Sequence, residues 1–186
     1  ALRHGDATFL DPVLTMLRRA DLSGNAAYHA VSYLWNVDQP AAVDGLRLIY
    51  DHGVLRSEPR SQLRLCEALA ARGDGRGLAD AYAVLVDMER TAKPPAGDEA
   101  ERRWASDRRS RESEADAVFG RASQALLTGF LLGKTAAATP EERRVVLRLL
   151  WRVSELPGPF APVIPLWAKD ADQEVARLAR RLLQRD

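Results

Sequence analysis

The feature that most constrains this chain is a segment that nearly repeats itself. Asn25 to Val54 reads NAAYHAVSYLWNVDQPAAVDGLRLIYDHGV, and Ser57 to Arg90 reads SEPRSQLRLCEALAARGDGRGLADAYAVLVDMER. At an offset of 36 residues Asp38 falls on Asp74, Leu46 on Tyr82, Leu48 on Val84 and Ile49 on Leu85. Self-similarity at a period of about 20 to 50 residues marks a solenoid. Each unit of such an array leaves an apolar face that only its neighbours can cover. Solenoids bind along a surface, so the partner is not spelled out in a motif.

Apolar residues at three- and four-residue spacing predict helices throughout and no convincing strand. A first helix is expected over Phe9–Ala20, with Val13, Met16, Leu17 and Ala20 inward, and a second over Gly24–Asn36. The third, Pro40–His52, carries Val43, Leu46, Ile49 and Tyr50 on one face and stops at Gly53. Ser57 is placed to cap a helix over Pro59–Arg72 that buries Leu63, Cys66, Leu69 and Ala70. After the Gly73-Asp74-Gly75 break, Leu78–Glu89 presents Leu78, Ala81, Leu85 and Met88. Residues 91–114, TAKPPAGDEAERRWASDRRSRESE, leave the pattern. They are expected to form a loop over 91–98 and then a polar helix or a mobile segment, as an insertion into the repeat. Helices resume over Ala115–Leu132, after the capping signature Thr139-Pro140-Glu141-Glu142, over Phe160–Ala168, and over Gln173–Gln184 behind Asp172.

Composition fits one domain spanning 1–186. Hydrophobic residues make up 46% of the chain and charged residues 28%, enough for a core and no sign of wholesale disorder. Residues 1–90 hold 10 basic against 12 acidic side chains, and residues 91–186 hold 17 against 14. Neither half has the field that drives a protein onto nucleic acid or a membrane. Arginine supplies nearly all the positive charge. Its even spread fits coding bias better than a dedicated phosphate or carboxylate site. The single cysteine, Cys66, allows no internal disulfide and fits a reducing compartment. The apolar run Ala125–Leu132 is too short for a bilayer. The cytoplasm is the default location.

Two stretches, LRLCEALAARGDGRGLADAYAVLVDM (63–88) and AKDADQEVARLARRLLQ (168–184), resemble HEAT repeats. LRHGDATFLDPVLTML (2–17) looks like a further copy of the Gly-Asp turn. The resemblance implies an all-α fold: a right-handed α-α superhelix of HEAT-like antiparallel helix pairs serving protein–protein interaction. Roughly three to five repeats are expected. The chain opens inside a repeat and neither end is strongly polar, so a piece of a longer array is expected.

Chemistry-bearing motifs are sparse. Gly73-Asp74-Gly75-Arg76-Gly77 follows a helix, which favours an inter-helix turn over a phosphate loop. Gly133-Lys134-Thr135 lacks the upstream glycine of a nucleotide-binding loop, since residue 128 is Thr. His4, His29 and His52 form no metal-ligand spacing, and Cys66 has no histidine beside it in sequence. No catalytic residue, metal or cofactor is expected. Trp35, Trp151 and Trp167 lie in or beside apolar stripes and read as core. Trp104 stands among Arg102, Arg103, Arg108 and Arg109, as either a partner anchor or an aromatic packing back on the array.

The repeat carries one constellation of its own. Asp44 and Asp51 on the third helix, and Asp80 and Asp87 on the fifth, are each seven apart and offset by 36. If the helices stack in register, these four form an acidic ladder on a solvated face, suited to a basic protein or peptide. The ordinary alternative is a solvated face with Arg47 pairing Asp44 or Asp51. The leading functional expectation is a scaffold that binds a protein on its concave helix face or through 91–114. The second is a nucleic-acid-binding or alkylpurine-glycosylase-type repair protein, resting on Trp104, Trp151 and the arginines after Arg102. The acidic ladder disfavours it. A third is a spacer arm.

Overall fold

The computed structural model describes residues 6–19, 22–91 and 94–185. His4 and Gly5 lie outside them. The architecture is all-α, with ten helices packed against one another and no strand among the described residues. They are α1 (Leu10–Leu17), α2 (Gly24–Leu34), α3 (Pro40–His52), α4 (Pro59–Ala71), α5 (Arg76–Arg90), α6 (Asp98–Arg121), α7 (Gln124–Leu132), α8 (Pro140–Leu150), α9 (Val163–Trp167) and α10 (Gln173–Leu183). Among the described residues no helix is long and apolar enough to cross a membrane.

Local chemistry sets most boundaries. Ser23, Ser123 and Asp172 cap α2, α7 and α10 by accepting from amides three residues on. Thr139 and Glu142 close a reciprocal capping box at α8. Proline occupies the first turn of α3, α4 and α8. Gly53 ends α3 in the left-handed conformation, φ 68°. Ser57 makes no cap; Glu58 holds that position at α4.

Of the two expectations for the charged segment after residue 98, the polar helix holds. A single helix of 24 residues, α6, runs from Asp98 to Arg121. Its first turn carries Asp98, Glu99 and Glu101, which complement the helix dipole. Its sides pack against α4 and α5. The expected helix over Ala115–Leu132 is therefore two. The break falls at Ala122 and Ser123, both extended, where the Ser123 hydroxyl starts α7. Near the other end, the segment expected as one helix over Phe160–Ala168 is a 3-10 turn, Gly158–Phe160, followed by α9. Pro159 and Pro162 remove two amides from any continuous ladder there.

Two apolar clusters form the interior, and α4 is their shared wall. Leu65, Ala68 and Leu69 face the cluster built from α1, α2 and α3. Leu63, Cys66 and Ala70 face the cluster that α5, α6, α7, α8 and α10 complete. Glycine lets helices approach where side chains would collide. A Cβ on Gly45 of α3 would lie 2.8 Å from Leu34 and 2.9 Å from Leu14, and one on Gly77 of α5 would lie 2.4 Å from Cβ of Cys66. Of the tryptophans expected in the core, Trp167 is buried, Trp35 is half-buried and Trp151 is 42% exposed, with Arg185 over its ring.

A recurring contact orders the helices. His52, at the end of α3, meets the Leu17 carbonyl at the end of α1 at 2.9 Å. Arg72, after α4, donates to the carbonyls of Leu34, Trp35 and Val37 at the end of α2. Arg185, after α10, donates to those of Leu150 and Trp151 at the end of α8. Helix C-termini leave carbonyls without partners. Here a cationic or imidazole side chain from a helix further along the chain satisfies them. The contact also places α1 beside α3, α2 beside α4 and α8 beside α10, each pair with C-terminal ends together.

Candidate functional surfaces

The four aspartates of the expected ladder do not share one environment. Asp44 is well exposed and pairs with Arg47 at 3.0 Å. Asp51 pairs with Arg76 at 3.1 Å. Asp87 is exposed on α5. Asp80 departs from the expectation of a solvated face: it is half-buried and turns back toward α4, accepting from Gln62 Nε2 at 2.7 Å with Cys66 Sγ at 3.9 Å. The register differs too. Tyr50 donates to the Arg76 carbonyl at 3.1 Å and Asp51 meets the same residue's guanidinium, so the end of α3 lies against the start of α5. Asp44 and Asp51 therefore meet guanidiniums, and Asp80 an amide, of this chain itself.

The structural centre of that side is Asp74, in the turn between α4 and α5. It is buried, takes Arg47 Nε at 2.7 Å and the Arg76 amide at 3.1 Å, and lies 3.6 Å from Arg76 Nε. Burial alone would raise its pKa. The Arg47 hydrogen bond, the Arg76 amide and both positive charges outweigh burial and hold it below the ordinary 3.8. Asp6 and Asp170 accept from the amide two residues on in the same way, and Asp170 also binds Arg143. The Gly-Asp turn seen in sequence is thus a structural device. Beside it, burial and then the nearby Asp80 charge push the Tyr50 hydroxyl up to about 12 and raise the Cys66 thiol well above the usual thiol range. Cys66 is an inert core residue.

A second network, missed in sequence, ties α5 to α6, α8 and α10. The Glu89 side chain, only 9% exposed, meets Arg144 at 2.9 Å, Arg148 at closer range and Arg108 at 4.0 Å. Arg144 continues to Asp172 at 2.8 Å, and Arg108 donates to the Met88 carbonyl. Trp104 belongs here. It is half-buried on α6 with the guanidinium of Arg108, one turn further along the same helix, 5.3 Å above its ring.

On the α2, α4 and α6 side lies an open groove of about 490 Å³. Its floor holds Tyr28 and Trp35 of the α2 segment, seven residues apart and so on one side of the helix. Arg60, Ser61 and Arg64 of α4 and Glu114 of α6 form its walls. A shallower trough of about 440 Å³ continues it past Arg60 to Asp107 and Arg111. Arg60 lies 3.7 Å from both Asp107 and Glu114, and Arg121 lies 3.2 Å from Glu67, so α6 runs parallel to α4. Arg64 rests over Tyr28 at 5.7 Å and Arg121 over Trp35 at 6.0 Å. Trp35, expected in or beside the apolar stripe, is half-buried, packs against the cluster of α1, α2 and α3, and also lines the groove.

Among the described residues no group of three or more His, Cys, Asp or Glu is placed to hold a metal ion. No protein-family model, no curated protein and no solved structure matches this chain.

Proposed function

We propose that this chain is a protein-binding module: a right-handed superhelix of HEAT-like antiparallel helix pairs that holds a partner protein in the groove between α2, α4 and α6. Support for the array comes from the cationic or imidazole contact onto the end of the helix two earlier at α1/α3 and α2/α4, and again at α8/α10. Two Gly-Asp pairs, Gly5-Asp6 and Gly73-Asp74, lie 68 residues apart, close to two repeat lengths, and the sequence offset of 36 residues agrees with it. Support for binding rests on one observation above all, the groove with an aromatic floor from the α2 segment and walls from α4 and α6. Aromatic side chains beside arginine are the residues that most often dominate protein–protein contacts. Residues 91–114 take part through Asp107, Arg111 and Glu114, so the 91–114 segment contributes a wall of the site.

Site-specific photo-crosslinking tests the reading. A photoreactive residue at Ser61, in the groove, is expected to give covalent adducts with another protein in a cell extract. The same residue at Asp87, on the exposed side of α5, is expected to give none. Adducts from position 87 alone, or from neither position, would remove the groove from consideration.

A further inference from the structure

Resting on the groove reading above, we propose that the occupant is an acidic segment of the partner protein, its carboxylates on Arg64 and Arg111 and its apolar side chains on Tyr28 and Trp35. Each carboxylate along the groove and trough already has a partner in this chain. Glu67 holds Arg121, Glu58 accepts from Ser61, Glu114 accepts from Ser110, and Asp107 shares Arg60 with Glu114 at 3.7 Å. The guanidiniums are not matched in the same way. Arg64 is exposed, stacks on Tyr28 and has no ion pair among the described residues; Arg111 is exposed and likewise has none. The charge left over for a ligand is cationic: Arg64 of α4 in the groove and Arg111 of α6 in the adjoining trough. A guanidinium resting on an aromatic face keeps its N–H edge free for a carboxylate.

The test selects a random dodecapeptide display library on the full chain and on the R64E/R111E double variant. Both arginines are exposed, and far-ultraviolet circular dichroism checks that the variant folds. The consensus peptide is then synthesised with a fluorophore and titrated by anisotropy. An excess of Asp and Glu in the consensus is expected, together with at least about a tenfold loss of affinity in R64E/R111E and weakening with added salt. A neutral or basic consensus, no enrichment, equal affinity for both proteins, or tighter binding of a single-stranded oligonucleotide of similar length would each overturn the acidic occupant. A neutral or basic peptide that still crosslinks to position 61 would leave the groove reading standing, whereas no peptide crosslinking there would remove both.

Discussion

On the α3/α5 side Asp44 sits 3.0 Å from Arg47, Asp51 3.1 Å from Arg76, and Asp80 2.7 Å from Gln62. On the α2/α4/α6 side Arg64 lies over an aromatic ring and Arg111 meets no carboxylate among the described residues. Both surfaces are mixtures of arginine and acid, and by sequence the first looks more like a binding face because its aspartates recur with the repeat. Under the proposed groove reading that ranking reverses. Asp51 meets Arg76 of α5, whereas Asp44 pairs within its own helix and Asp80 with Gln62 of the adjoining α4. The charges this reading leaves for a partner are arginines that do not recur in register.

This contrast can be broken most strongly at Glu89, whose carboxylate is consumed by structure. Glu89→Ala removes the carboxylate that Arg144 and Arg148 share, leaving Arg144 with Asp172 and Glu141 and Arg148 with Glu112. The change is expected to lower stability by about 2 kcal/mol, less than for a buried pair whose surviving charge has no other partner. A urea denaturation series measures it, and a loss below about 0.5 kcal/mol would place Glu89 with ordinary surface charges.

Asp74→Asn comes next, with an expected loss of about 1–2 kcal/mol at neutral pH from one weakened charge-assisted hydrogen bond. Its pH dependence fixes the sign. The folded-state pKa lies below 3.8, so the stabilisation is present above the unfolded value and disappears as pH falls through the folded one. Denaturation at pH 7 and pH 3 should show wild type losing more stability than Asp74→Asn over that interval. Equal losses would contradict the role given to Arg47 and the Arg76 amide.

The smallest effects are expected at the exposed aspartates. Asp44→Ala and Asp51→Ala should each change stability by no more than about 0.5 kcal/mol, as exposed ion pairs do. Neither should alter binding of the groove peptide. A strong binding defect in either would return the functional surface to the aspartate face.

Helix positions were largely readable from sequence because they depend on neighbours in the chain. Pro40 and Gly53 bracket α3 as expected, and Thr139 and Asp172 start α8 and α10. The polar part of α6 was readable as a helix, but its unbroken run to Arg121 was not, because that run is held by the packing of Ala115, Val118 and Phe119 in the core. Its end depends on a single serine cap. Cys66 was rightly placed inside, since a stripe at helical spacing reports burial. Asp80 was misjudged for a related reason. Angular position on a helix says that a side chain lies off the apolar stripe, but the tilt of α5 against α4 decides whether Gln62 covers it. The groove was invisible in sequence because its lining, Tyr28 and Trp35, Arg64, and Glu114, is distant in the chain and comes together only when α6 lies along α4.

Titration of the library-selected consensus peptide tests the central claim most directly, comparing wild type, R64E/R111E and Asp44→Ala/Asp51→Ala side by side. The account predicts wild-type affinity for the aspartate variant and at least about a tenfold loss for the arginine variant. Wild-type affinity in R64E/R111E with a loss in the aspartate variant would contradict it.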